Sequence, residues 1–355
     1  MKNETGEPGA ARPIIDEASA GVEATSGCVR RTDVQPQKFF AALAGFLFHV
    51  IEQCARNAVA TVTGEHCHIG DIPLATLNGM IKQRQCEDGT HCAPYALHLM
   101  GAAWHSKGYI GYKAYCSFPT GTRFHIVLAS AHTGEMLALL EADWLGRIRT
   151  GAASGLATKY LAREDAATVA ILGAGAQAET QLQAVCAVRP IQRAVVFSRT
   201  PETRAAFAER MTAQLGVPVQ PAESVEQAVA EADVICTITS AREPIMQGAW
   251  LKPGMHLNAA GANTLARREL DTFAVGRCER IFVDDPAQAR TEAAELIVPI
   301  ELRRLSWERV HPLAHLIGGL LPPRQSPEEI TLFKSLGIAL EDVAAAAVVY
   351  EALRD

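Results

Sequence analysis

Apolar positions along the chain change their spacing several times. Over residues 37–62 they recur at helical intervals and stop near Gly64; residues 65–95 are irregular and rich in His and Cys. From Ile110 the texture becomes that of short strands (GYKAYCSF, RFHIVLASA and EMLALLEAD), with turns at 119–122 and 132–134. An Ala- and Gly-rich helix is expected over 145–161. From Ala167 short apolar runs alternate with amphipathic helices. Strands are predicted in ATVAIL, AVVFSR, DVICTIT, MHLNAA and RIFVDD, and helices after Gly175, over 201–215 and over 224–232, with VPVQPA between the last two helices. That alternation means crossover units and a parallel sheet. Beyond Pro323 the spacing reads as helical to the end, first 326–333, with Ser326 as cap, Pro327 in the first turn and Glu329 three residues after the cap, then 338–354. The expected fold class is α/β, with a Rossmann-type parallel sheet domain inserted into a smaller α+β domain. The boundaries are a disordered tail at 1–33, the smaller domain at 34–148 plus 324–355, and the Rossmann domain at 149–323.

Composition narrows the function. With 48% hydrophobic and 20% charged residues the 355-residue chain is globular in type. Its net charge of −6 and lack of any dense Lys/Arg block argue against a nucleic-acid partner. The most apolar early stretch, 39–50, is too short to span a bilayer, and the N-terminus has no apolar signal core, so neither membrane insertion nor export is expected. Nine scattered cysteines, an odd number without regular spacing, fit reduced thiols in a cytoplasmic protein.

The strand ATVAIL runs into GAGAQA, which places Gly173, Gly175 and Ala178 at GxGxxA spacing. The first glycine makes the turn, the second lets backbone approach a pyrophosphate, and the small third residue lets helix pack on strand. Amides at the helix start, near Ala176 and Gln177, then face the diphosphate. At the end of the next strand an acidic residue would hold the ribose hydroxyls of NAD, but this chain has Ser198, Arg199 and Thr200. Arg199 can pair with a 2′-phosphate and the two hydroxyls can donate to it, which favours NADP(H), with NAD(H) as the alternative. Thr237, Thr239 and Ser240 follow another strand and are expected to line the same cleft.

GYKAY (111–115), TGEMLALLEAD (133–143), RTGAAS (149–154), GAGAQA (173–178), SRT (198–200), AAGAN with RRELD (259–271) and ITLFKSLGIALEDVA (330–344) occur in this order. On these landmarks, over roughly two-thirds of the chain, the sequence resembles the ornithine cyclodeaminase/mu-crystallin family. The resemblance implies a substrate and dimerisation domain completed by the C-terminal helix, a Rossmann domain carrying NAD(P), and a homodimer. It also implies hydride transfer between nicotinamide and the α-carbon of an amino acid or its imine.

Lys113 sits in an apolar strand and needs a partner there. The resemblance turns it toward the substrate, as anion ligand or as proton donor if burial lowers its pKa. Arg149, expected at the opening of its helix, is implied to grip the substrate carboxylate or the cofactor diphosphate, with Thr150 beside the same phosphates. The resemblance also implies a second carboxylate clamp upstream of the lysine, for which Arg84 is the candidate. Ser335 and Leu336 are implied to lie against the nicotinamide, while Lys334 reads equally as a helix-end lysine. Asn263 departs from the family pattern, since cyclodeaminases carry aspartate there. An amide neither takes a proton at neutral pH nor pairs with a diamine. That favours reduction of a simpler imine, or oxidation of an uncharged amino acid, over ornithine cyclodeamination with recycled NAD. A third reading is a non-catalytic NADPH-binding protein. Glu269 and Asp271 are expected to start a helix and to pair with Arg267 or Arg268. Glu65, His66, Cys67, His68, Cys86, His91 and Cys92 match no zinc spacing, so no metal is expected.

Overall fold

The computed structural model describes residues 95–118 and 121–354, together with the backbone of short strands at 14–16, 23–25, 28–30 and 79–83. These strands are β1 (Ile14–Asp16), β2 (Glu23–Thr25), β3 (Cys28–Arg30) and β4 (Gly79–Gln83). The expected tail at 1–33 (β1–β3 apart), the helix at 37–62, the Cys/His-rich segment and Arg84 lie outside the described residues.

β5 (Tyr95–Trp104), β6 (Tyr109–Phe118), β7 (Gly121–Ser130) and β8 (Met136–Glu141) form an antiparallel meander, with β4 on one edge and β1 parallel to β8 on the other. One cross-strand row of this sheet, Met100–Lys113–Ile126–Leu140, points inward and is buried throughout. Two helices cover that face, α1 (Asp143–Leu161) and, at the far end of the chain, Ala339–Arg354. Of the 19 residues of α1, 13 are buried, many of them Gly, Ala or Ser, so α1 is a central helix packed on several sides.

The second sheet is parallel throughout. Its strands are β9 (Thr168–Leu172), β10 (Arg193–Phe197), β11 (Val219–Pro221), β12 (Val234–Thr237), β13 (His256–Ala259), β14 (Arg280–Val283), β15 (Val310–Pro312) and β16 (Thr331–Lys334). They lie in the order β11-β10-β9-β12-β13-β16-β14-β15. The connecting helices are α2 (Ala178–Val188), α3 (Pro201–Leu215), α4 (Val225–Val229), α5 (Thr272–Arg277), α6 (Pro286–Glu292), α7 (Ala294–Glu301) and α8 (Leu313–Ile317), and Ala339–Arg354 is α9. The chain steps outward from β9 to β11 and then returns to build the other side from β12. The strand ends beside β9 are therefore the topological switch point, where ligands bind in such sheets.

Residues 326–333 depart from the sequence expectation. Ser326 Oγ does accept from the Glu328 amide at 3.1 Å, and Glu329 accepts from the Gln325 amide at 2.9 Å. The turn stops there, because Thr331–Lys334 is wholly buried and pairs on both sides, with β13 and β14. Between two strands, backbone pairing outweighs a local capping signal. The boundary drawn at 323/324 therefore falls before this strand of the parallel sheet. Arg149 is the seventh residue of α1, not its first, because the helix begins at Asp143.

α1 and α2 cross in contact at Gly151, where an added Cβ would lie 2.5 Å from the Thr180 carbonyl oxygen. Gly151→Ala gains about 1 kcal/mol of helix propensity, but overpacking against backbone costs about 1–3 kcal/mol. The clash wins: thermal unfolding of Gly151→Ala should occur at a lower temperature than that of the wild type.

Candidate active site

A cavity of about 930 Å³ opens at the switch point. Gly173 leaves β9 at φ 118°, a left-handed geometry that suits glycine, and its amide donates to the Phe197 carbonyl at 2.8 Å. A side chain here would meet the Ile238 carbonyl oxygen at 2.4 Å. Gly173, Gly175 and Gln177 line the cavity, and Ala176 is exposed beside them. Ala178 is fully buried at the foot of α2, so the small third residue does bring helix onto strand. Ser198 and Arg199 line the cavity, and Arg204 holds the Ser198 carbonyl at 3.1 Å. Thr200 is exposed at the cap position of α3 and is not among the lining residues. This concave, amide-bearing turn has the shape and chemistry to hold a dinucleotide pyrophosphate.

Thr239 and Ser240 line the cavity, whereas Thr237 does not. Its hydroxyl is buried and donates to Glu269 at 2.8 Å. Glu269, expected to pair with Arg267 or Arg268, instead takes four donors: the Thr237 and Thr239 hydroxyls and the Thr239 and Gly261 amides, at 2.6–2.8 Å. Burial raises its pKa, while Lys334 and these donors oppose the rise. Asp271 alone starts the helix, capping α5 through the Ala274 amide. Lys334 is no helix-end lysine. It is fully buried, donates to the Ala259 and Ala262 carbonyls, and lies 3.7 Å from Glu295. Together these groups shape the loop that presents Asn263, which is exposed on the cavity wall.

Arg149 and Thr150 of α1 line the cavity together with Ser335, Leu336 and Gly337. Arg149 Nε donates to Asp342 Oδ1 at 2.9 Å and Nη1 to Glu341 Oε2 at 3.0 Å. Lys113 is 3% exposed, and its Nζ donates to the other oxygen of Asp342 at 2.6 Å. Burial pushes the lysine ammonium down, Arg149 adds to the effect, and Asp342 and Glu341 resist it. Lys113 thus has the partner its apolar strand demanded, and it lies directly behind the cavity wall. Gly337 packs on the guanidinium so closely that a Cβ would lie 2.4 Å from Nη1. Asp284 accepts from the Leu336 and Gly337 amides, and its other oxygen is buried without a hydrogen-bond partner. Among the described residues no group of His, Cys, Asp or Glu could hold a metal, and the four cysteines are free thiols.

Residues 94–355, the segment that carries this geometry, match the ornithine cyclodeaminase/mu-crystallin family. The chain belongs to that family. Among family relatives, Delta(1)-pyrroline-2-carboxylate reductase of Bacillus cereus is 38% identical over 227 residues, covering 64% of this chain and 70% of the relative. Alanine dehydrogenase of Archaeoglobus fulgidus is 35% identical over 256 residues, covering 70% and 78%. The structure of Thermococcus litoralis Delta(1)-pyrroline-2-carboxylate reductase in complex with NADH and L-proline superposes with a TM-score of 0.77 at 31% identity, over 88% of this chain and 94% of that one.

Five carboxylates that build this family site were not singled out from sequence for the parts they play: Asp284, Glu295, Glu341 and Asp342, and Glu269 in the role it has here. The signal lay in LEDVAAAAVV, where two acids stand at the head of an apolar helix whose every face is buried near them. Acids in such a setting need cationic partners. For Glu269→Gln, one amide hydrogen must face a donor already in place, and the loss is about 2 kcal/mol or more. Calorimetric unfolding should show that loss, and titration should show weaker binding of a pyridine nucleotide.

Proposed function

We propose that this protein is an NAD(P)H-dependent oxidoreductase that reduces small α-imino acids, or oxidises uncharged α-amino acids in the reverse direction. One observation carries the reading: the cleft at the switch point of the parallel sheet ends on Arg149, and Arg149 is joined through Asp342 to Lys113 of the other sheet. A nucleotide seat and a cationic group suited to a carboxylate thus meet at one wall. The relatives support it, since one was solved with NADH and L-proline and others are a pyrroline-carboxylate reductase and an alanine dehydrogenase.

A bound nicotinamide supplies the hydride. Gly173, Gly175, Ala176, Gln177 and Thr150 would hold the diphosphate, Thr239 and Ser240 the flank of the cleft, and Ser335 and Leu336 the ring. Arg149 would hold the substrate carboxylate. Lys113 would add the second positive charge and keep a proton at Nζ for the imine nitrogen, with Asp342 fixing its position. Catalysis in this arrangement is orientation and charge neutralisation. Asn263 would face the substrate as a neutral amide, leaving a diamine without a charge partner at that wall, which weighs against cyclodeamination. Arg199, with Ser198, favours the 2′-phosphate of NADP(H). The homodimer implied by the family resemblance belongs to the same proposal. No helix among the described residues is long and apolar enough to cross a membrane.

A screen at 340 nm of NADPH and NADH against cyclic ketimines, pyruvate with amines, and free amino acids tests the reading. Turnover with a carboxylate-bearing imine is expected, and its absence across the panel would sink the proposal. Lys113→Ala should abolish turnover while nucleotide affinity stays near that of the wild type. Arg199→Ala should raise the NADPH Kd about tenfold or more, a loss of about 1.4 kcal/mol, and leave that of NADH nearly unchanged.

A further inference from the structure

We infer that Glu341 occupies, on Arg149, the seat the substrate carboxylate takes, and that it gives up this seat as the neutral acid when the anion arrives. The inference rests on the proposed function and adds to it a proton-coupled exchange at the binding step.

The two carboxylates on Arg149 are held unequally. Asp342 is fully buried and spans two cations, one oxygen on Lys113 and the other on Arg149. Glu341 makes one ion pair, to Nη1, the nitrogen that packs against Gly337 on the cavity wall. A guanidinium grips a carboxylate best through two parallel hydrogen bonds. An incoming anion therefore competes with Glu341 far more readily than with the doubly anchored Asp342.

Charge counting shows what must happen to Glu341. Facing it are Asp342 on its own helix, Arg149 on α1 and Asp284 after β14. Lys113 on β6 lies behind Asp342, and Lys334 on β16 lies beyond Asp284. Three carboxylates already share this buried space with two directly bonded cations. A fourth anion is costly there unless one carboxylate is neutralised. Burial raises the Asp284 carboxyl as well, but two backbone amides, Arg149 and Lys334 oppose that rise, and Asp342 is held by two cations; Glu341, with a single hydrogen bond, is the group best placed to take the proton. Burial, and then Asp284, push its carboxyl up to about 8. In the exchange an O–H bond forms on Glu341 with a proton from solvent, and its hydrogen bond from Arg149 is replaced by one to the substrate carboxylate.

Linkage sets the sign. Below about pH 8 Glu341 is already protonated and the anion binds without proton exchange; above it, each anion bound brings in one proton. Pyrrole-2-carboxylate, a flat and unreactive carboxylate, is the probe. Calorimetry at pH 9 in two buffers of different ionisation heat should show the wild type taking up close to one proton per ligand. Wild-type affinity should fall about tenfold per pH unit above pH 8. In Glu341→Gln the uptake should vanish, and the probe should bind about tenfold tighter than to the wild type at pH 9. Uptake that survives the substitution would assign the proton to Lys113 or Asp284 and overturn the inference. So would a Gln variant that binds no tighter than the wild type, or a probe that neither protein binds. Imine reduction without the affinity gain leaves the proposed function standing and removes the exchange. Exchange without turnover in the 340 nm screen does the reverse.

Discussion

Asp342 accepts from two cations that come from different elements packed on one another. Lys113 belongs to the antiparallel sheet, Arg149 to the central helix α1, and Asp342 to α9 at the end of the chain. Each of the three side chains is buried, so none could stay charged alone at tolerable cost. Removing one member leaves a charge without compensation, a loss of about 3–5 kcal/mol in comparable buried pairs. The Arg149–Asp342 bond joins α9 to α1 and holds the guanidinium at the cavity wall.

A second set of buried charges shapes the cavity floor. Glu269 ties the loop after β12 to the loop after β13, while Lys334 and Glu295 brace the same loop from β16 and α7. A neutral network continues beneath them. His256 pairs with Thr331 and Asn258, and Asn258 donates to Thr158 near the end of α1. Burial drives the His256 imidazole down to about 3, so it stays uncharged under ordinary conditions and joins sheet to helix as a plain hydrogen-bonding group. α1 is thus held near one end by ion pairs and near the other by hydrogen bonds. A site that must place a carboxylate, an imine carbon and a nicotinamide within reach of each other needs that rigidity.

The balance of charge at the wall bears on substrate choice. Arg149 and Lys113 are already hydrogen-bonded to acids of the protein itself, so the site is not a bare cationic hole awaiting any anion. In the proposed exchange a ligand displaces an internal partner, which would make the strength and geometry of its carboxylate part of recognition. Asn263 adds no charge to the opposite side. Both features suit a small, singly charged imino or amino acid.

The glycine turn at 173–178 and most of the parallel sheet were legible in the sequence, because GxGxxA spacing and alternating strands and helices are local signals that tertiary context only reinforces. That Lys113 would need a buried partner was also legible, since it is a charge in an apolar strand. Local signals misled at Ser326–Phe333, where capping residues announce a helix and strand pairing on both edges imposes β16. They also misled at Thr237 and Glu269, since nothing near either residue in the chain reveals that they face each other. By itself the sequence determined most of the elements of the parallel sheet and that a few buried charges would need partners. Only the tertiary structure decided which partners those are, because Asp342 lies 229 residues from Lys113 and 193 from Arg149, and pairing across such separations is set by packing.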